Sequence, residues 1–83
     1  MLNATHINVT IDFGNWGGSE YDLRIPVHQP VKQLLLNLVE TLKLDVKNAS
    51  ACSVKIPTKD LLLTDDDRLI DYPITDGDII IVL

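Results

Sequence analysis

Two stretches near the start of the chain alternate apolar and polar residues with a period of two, and that pattern restricts the fold more than any other feature. In "THINVTIDF", Ile7, Val9, Ile11 and Phe13 alternate with His6, Asn8, Thr10 and Asp12. In "YDLRIPV", Tyr21, Leu23, Ile25 and Val27 alternate with Asp22, Arg24 and Pro26. Successive side chains of a strand point to opposite faces, so each stretch reads as a strand with one dry and one wet face. Between them "GNWGGSE", Gly14 to Glu20, holds three glycines and an asparagine, which marks a turn. The two strands therefore form a hairpin. Pro26 cannot donate a ladder hydrogen bond and belongs at an edge or a strand end. A hairpin with one apolar face is not stable alone in water, so something must cover that face.

The chain offers one cover. Pro30 suits the first turn of a helix. After it, in "VKQLLLNLVETLKL", Val31, Leu34, Leu35, Leu38, Val39 and Leu42 recur at three- and four-residue spacing and form one apolar stripe. Lys32, Gln33, Asn37, Glu40 and Lys43 fall on the other side. Leu36 lies among them; a lone exposed leucine is ordinary, and a partner contact is the sharper reading. "DVKNASA" reads as a connector. "CSVKI" is a short strand with Val54 and Ile56 on one face, and "LLL", Leu61 to Leu63, is a very short one. "TDDDRLIDYPITDGD" is an ordered turn region anchored by Leu69, Ile70, Tyr72 and Ile74, and "IIIVL" is the last strand. The order is β-β-α-β-β-β, an α+β fold with a sheet folded around one helix. With no repeat or linker, residues 1–83 are expected to form one domain.

Aromatic residues make up only 5% of the chain, so the core must be built from Ile, Leu and Val. The formal charge is −5, and the seven Lys and Arg residues are scattered. That balance argues against nucleic acid as a partner. The single cysteine, Cys52, can form neither an intrachain disulfide nor a thiolate metal site, and is expected in the core of a protein from a reducing compartment. "MLNATHINVT" lacks the features of a signal peptide. The apolar runs fall far short of the ~18 residues of a membrane span, so no direct membrane insertion is expected. Those features point to the cytoplasm. The Asn-x-Ser/Thr triplets at Asn3, Asn8 and Asn48 are then chance matches.

The element order and "LIDYPITDGDIIIVL" resemble the ubiquitin-like β-grasp. Leu69, Asp71, Tyr72 and Ile74 form a Leu-x-Asp-Tyr-x-Ile segment ahead of the final strand. A closer resemblance is to the YukD/EsaB family, small ubiquitin-like proteins encoded with the type VII (WXG100, Ess/Yuk) secretion systems of Gram-positive bacteria. It rests on Val9–Phe13, the Asn15-Trp16 turn, "YDLRIP" (Tyr21–Pro26) and "DRLIDYPITDGDII" (Asp67–Ile80). The resemblance implies one mixed sheet packed on a single helix. It also implies a non-enzymatic, non-conjugating accessory or regulatory protein of the secretion system. Its partners would be membrane-anchored secretion components or the ATPase, and no cofactor is expected.

Other chemistries fare poorly. A ubiquitin-like modifier or sulfur carrier, activated at its C-terminus, needs a flexible arm ending in Gly-Gly. This chain ends at Leu83 within its expected last strand, an end expected to be complete. "DDD" and "DGD" could suggest calcium, but they lack the spaced ligands and terminal Glu of an EF-hand and read as turns. His6 and His28 have no nucleophile beside them in a known arrangement. "GNWGGSE" joins two strands instead of opening a helix, so it is not a phosphate loop. Binding surfaces remain. Trp16, at the glycine-rich tip, either folds back on the sheet or stands out as a hot-spot aromatic. By resemblance to ubiquitin, Ile80 and Val82 face the helix, and Ile79, Ile81 and Leu83 face outward as an apolar stripe. Lys55 falls near where ubiquitin carries an apolar patch residue. The stripe is either a bland, partly covered surface or a contact for a secretion component or a second copy in a homodimer.

Overall fold

A computed structural model describes residues 5–45 and 52–83. The connector, Asp45 apart, and the Asn3 and Asn48 triplets lie outside these residues.

The alternating segments form strands β1 (His6–Asp12) and β2 (Glu20–Pro26), paired antiparallel with Ile7 opposite Ile25, Val9 opposite Leu23 and Ile11 opposite Tyr21. Helix α1 spans Val31–Thr41, followed by β3 (Val54–Ile56), β4 (Leu61–Leu63) and β5 (Ile79–Val82). The sheet order is β2-β1-β5-β3-β4. β1 and β5 run parallel, and the other pairs are antiparallel. Val31, Leu34 and Leu35 of α1 join Ile7, Val9, Ile11, Val54, Ile56, Ile80 and Val82 in one buried cluster, so the helix covers one face of a mixed sheet. This is the α+β ubiquitin-like β-grasp. Cys52 is buried in the same cluster.

The hairpin tip is a 3-10 turn, Gly14–Trp16, folded under fully buried Phe13. The Phe13 carbonyl accepts from the N–H groups of both Trp16 and Gly18 at 2.9 Å. A Cβ on Gly18 would come within 2.9 Å of the Phe13 Cβ, so only glycine allows this approach.

Both ends of α1 are closed by the backbone. The N-cap residue, Pro30, makes no side-chain cap; instead the N–H groups of Val31 and Lys32 donate to the carbonyls of Asp67 (2.8 Å) and Asp65 (3.0 Å). The "DDD" turn is thus the helix cap. Ile70 donates its N–H to the Val27 carbonyl, but its side chain points outward, so Leu69 is the buried anchor of this segment and Ile70 is not.

The helical segment read from the sequence runs to Leu44, its apolar stripe ending at Leu42, and the helix stops at Thr41. Lys43 takes the left-handed conformation, φ 55°. Its N–H donates to the Glu40 carbonyl, and that of Leu44 donates to the Val39 carbonyl. These are the two bonds of a Schellman motif, with lysine where glycine is usual. Leu42 and Leu44 then pack on the core from outside the helix. A left-handed L-residue costs about 1–2 kcal/mol, and glycine's extra unfolded-state entropy takes back part of the gain. Lys43→Gly should therefore raise stability by about 0.5 kcal/mol in urea denaturation; a loss of stability would show that this cap does not form in solution.

Candidate functional site

The open face is built around β5. Ile80 and Val82 are buried toward the helix, so Ile79 and Ile81 must point the other way. Thr10 lies opposite Ile79, and Asp12 opposite Ile81, on the β1 side. On the other side Lys55 lies opposite Ile81, and Leu62 opposite Lys55. Directly opposed side chains on one face are in contact range. One row therefore reads Asp12, Ile81, Lys55 and Leu62 across four strands. Ile79 and Leu83 are exposed, Ile81 is half-buried, and Leu62 is the most exposed large apolar residue described, at 62%.

Leu62 escaped the sequence reading, because a run of three leucines carries no alternation to say which one faces out. Its position follows only from the β3–β4 register.

Trp16 folds back. Its ring tilts 55° against Phe13 with centroids 5.9 Å apart, and its indole N–H donates to the Leu83 backbone oxygen at 2.7 Å. Asn15 donates its side-chain amide to the Val82 carbonyl at 3.0 Å. The Asn-Trp pair thus fastens the hairpin tip to the end of β5. Trp16 stays half-buried, beside the stripe. Leu36 is exposed on the outer side of α1, so it lies on the opposite side of the molecule from Ile79, Ile81 and Leu83. The sequence candidates therefore divide between two surfaces.

The acidic turns are structural. Asp76 accepts the Asn8 N–H at 2.8 Å. Asp67 accepts the Thr64 N–H at 2.9 Å and the Tyr72 hydroxyl at 2.9 Å. Those bonds hold its carboxyl below its ordinary pKa, and the same carboxylate pushes Tyr72 up. Asp78 is buried. Burial opposes its ionisation, but the Thr75 N–H, the Thr58 hydroxyl and Lys59 (3.4 Å) together outweigh it, so its pKa is also lowered. Among the described residues, no three His, Cys, Asp or Glu side chains converge as a metal site would require.

A mixed sheet in the order β2-β1-β5-β3-β4, closed over one helix, with its open face apolar along the central strand, places this chain among the ubiquitin-like β-grasp proteins. Comparison with known proteins narrows the class. Residues 6–82 match the family described as "WXG100 protein secretion system (Wss), protein YukD". The chain belongs to the YukD family. It is 40% identical over 78 residues to the type VII secretion system accessory factor EsaB of Staphylococcus aureus (strain Newman), covering 94% of this chain and 96% of that protein. It is 27% identical over 73 residues to the ESX secretion system protein YukD of Bacillus subtilis (strain 168), covering 88% and 92%.

Asp67 and Asp78 carry a pH prediction. A carboxyl whose folded pKa is lowered adds stability above its unfolded value of about 4, and that stability is lost as pH falls through the folded value. Unfolding free energy should decline below about pH 4. Asp78→Asn should cost roughly 1–2 kcal/mol at neutral pH and flatten that decline. An acid limb unchanged by the substitution would remove Asp78 from the account.

Proposed function

We propose that this chain is a cytosolic, non-enzymatic interaction module, an accessory component of a type VII (WXG100) secretion system that docks through the open face of its sheet. The observation that carries this reading is the set Ile79, Ile81, Leu62 and Leu83, apolar and outward on a sheet whose other face already has its helix. The exposed parts of these side chains, largest at Leu62, contribute nothing to the core, and a partner gains their burial at about 25 cal/mol per Å². Membership of the YukD family, with EsaB as an accessory factor, supplies the system. The partner is the cytosolic part of a membrane-anchored secretion component or of the ATPase. No helix among the described residues is long and apolar enough to cross a membrane, so contact with such a component would be made through protein.

The test uses Ile81→Glu and Leu62→Glu against Leu36→Glu as the control on the far surface. The first two should cut capture of solubilised secretion components at least tenfold and reduce release of WXG100 substrates. Leu62→Glu, at an exposed edge position, should leave thermal stability little changed, whereas Ile81→Glu, half-buried on the central strand and opposite Asp12, should lower it, so Leu62→Glu is the variant that separates docking from folding. The control should behave as the unaltered protein. Normal capture and secretion with both open-face variants, or loss with the Leu36 variant alone, would overturn the proposed surface.

A further inference from the structure

β2 is an edge strand, seven residues long, and among the described residues only β1 pairs with it. The hydrogen bonds of β1 fix which backbone groups of β2 are free. Thr10 donates its N–H to Asp78 and Asn8 accepts from Gly77, so these residues turn their backbone toward β5. Ile7, Val9 and Ile11 therefore bond to Ile25, Leu23 and Tyr21. On β2 the backbone groups of Glu20, Asp22 and Arg24 consequently face outward. Among the described residues none of them has a backbone partner. Tyr21 and Leu23, inward-facing and only half-buried, leave apolar surface at the same edge.

We propose that this edge is the contact for a second copy of the chain, paired antiparallel about a two-fold axis at Leu23. The strand reads Glu-Tyr-Asp-Leu-Arg-Ile-Pro, Glu20 to Pro26. Centred on Leu23, Asp22 of each copy lies opposite Arg24 of the other, and their outward N–H and C=O groups bond reciprocally. The Glu20 N–H meets the Pro26 carbonyl, and the missing Pro26 N–H costs only one bond per copy at the periphery. The two Leu23 side chains meet on the helix side, with the half-buried Tyr21 of each copy beside them; Ile25, opposite Tyr21 in this register, is already buried in its own chain. Neighbouring registers are worse. A centre at Asp22 or Arg24 opposes like charges across the axis, one at Tyr21 sets Glu20 against Asp22, and one at Ile25 leaves Arg24 facing Pro26. Charge pattern, bonding parity and apolar cover thus select one self-complementary register. The axis stands perpendicular to the sheet, so both open faces lie on the same side, presenting the stripe twice.

Sedimentation equilibrium up to about 1 mM chain tests this independently of secretion, because it reads self-association alone. A small edge contact should give a dimer with Kd of about 100 μM. Asp22→Arg and Arg24→Asp should each weaken it roughly tenfold or more. An equimolar mixture of the two variants should restore a dimer, since every 22–24 contact is then between opposite charges. Amide spectra check that each variant folds. The unsubstituted protein gives a second readout: in a mixed labelled and unlabelled sample, the Leu23 Hα atoms of the two copies should show a direct intermolecular contact. A monomer at 1 mM, a dimer indifferent to charge at 22 and 24, or a dimer lacking the Leu23 contact would overturn the proposal.

Discussion

β5 enters between β1, which it pairs in parallel, and β3, which it pairs antiparallel. Take that strand away and two separate hairpins remain, β1–β2 and β3–β4, neither of which could stand alone in water. Ile80 and Val82 unite the two halves on the helix side. The same backbone, by the pleat, sends Ile79 and Ile81 out. A central strand favours branched residues on both faces, so the outward stripe follows partly from where β5 sits. Its extension by Leu62 across Lys55 does not follow from that, because β4 is an edge. Leu62 carries the exposed apolar surface from β5 out to the edge of the sheet.

The polar residues are largely spent on holding β5 in place. Asp78, immediately before it, binds Thr75, Thr58 and Lys59. Asn15 and Trp16 hold its far end. Asp65 and Asp67 start the helix through their carbonyls, and the Asp67 side chain ties Thr64 to Tyr72. A chain of net charge −5 thus commits several of its acids to turns and caps. On the open face, Asp12, Asp22 and Glu20 lie with Arg24 on the β1–β2 side of the stripe, which leaves that side net acidic, with Lys55 on the other. A partner that places basic residues beside its apolar anchor fits that arrangement.

Much of this was legible in the residues. Alternation placed β1 and β2 within a residue or so, and helical spacing placed the buried Val31, Leu34 and Leu35. Both signals are periodic and local. The split of β5 into inward and outward residues was not local, since "IIIVL" is apolar throughout, and it came from resemblance to ubiquitin. Three features stayed hidden for physical reasons. The helix end at Thr41 depends on a left-handed lysine, which composition does not announce. The direction of Leu62 depends on pairing register. Trp16 could have gone either way until a distant acceptor, the Leu83 backbone oxygen, was in place. The bonding parity of the β2 edge belongs to the same class, because it is a property of the assembled sheet.

The central claim is that partners dock on the β5–β3–β4 side of the open face. The most direct measurement is an amide chemical-shift titration of labelled protein with the soluble cytosolic part of a membrane-anchored type VII secretion component. The account predicts saturable shifts at Ile79 to Leu83, Val54 to Ile56 and Leu61 to Leu63, with α1 unmoved. Shifts confined to the outer side of α1 around Leu36, or none from any such component at saturating concentration, would contradict it.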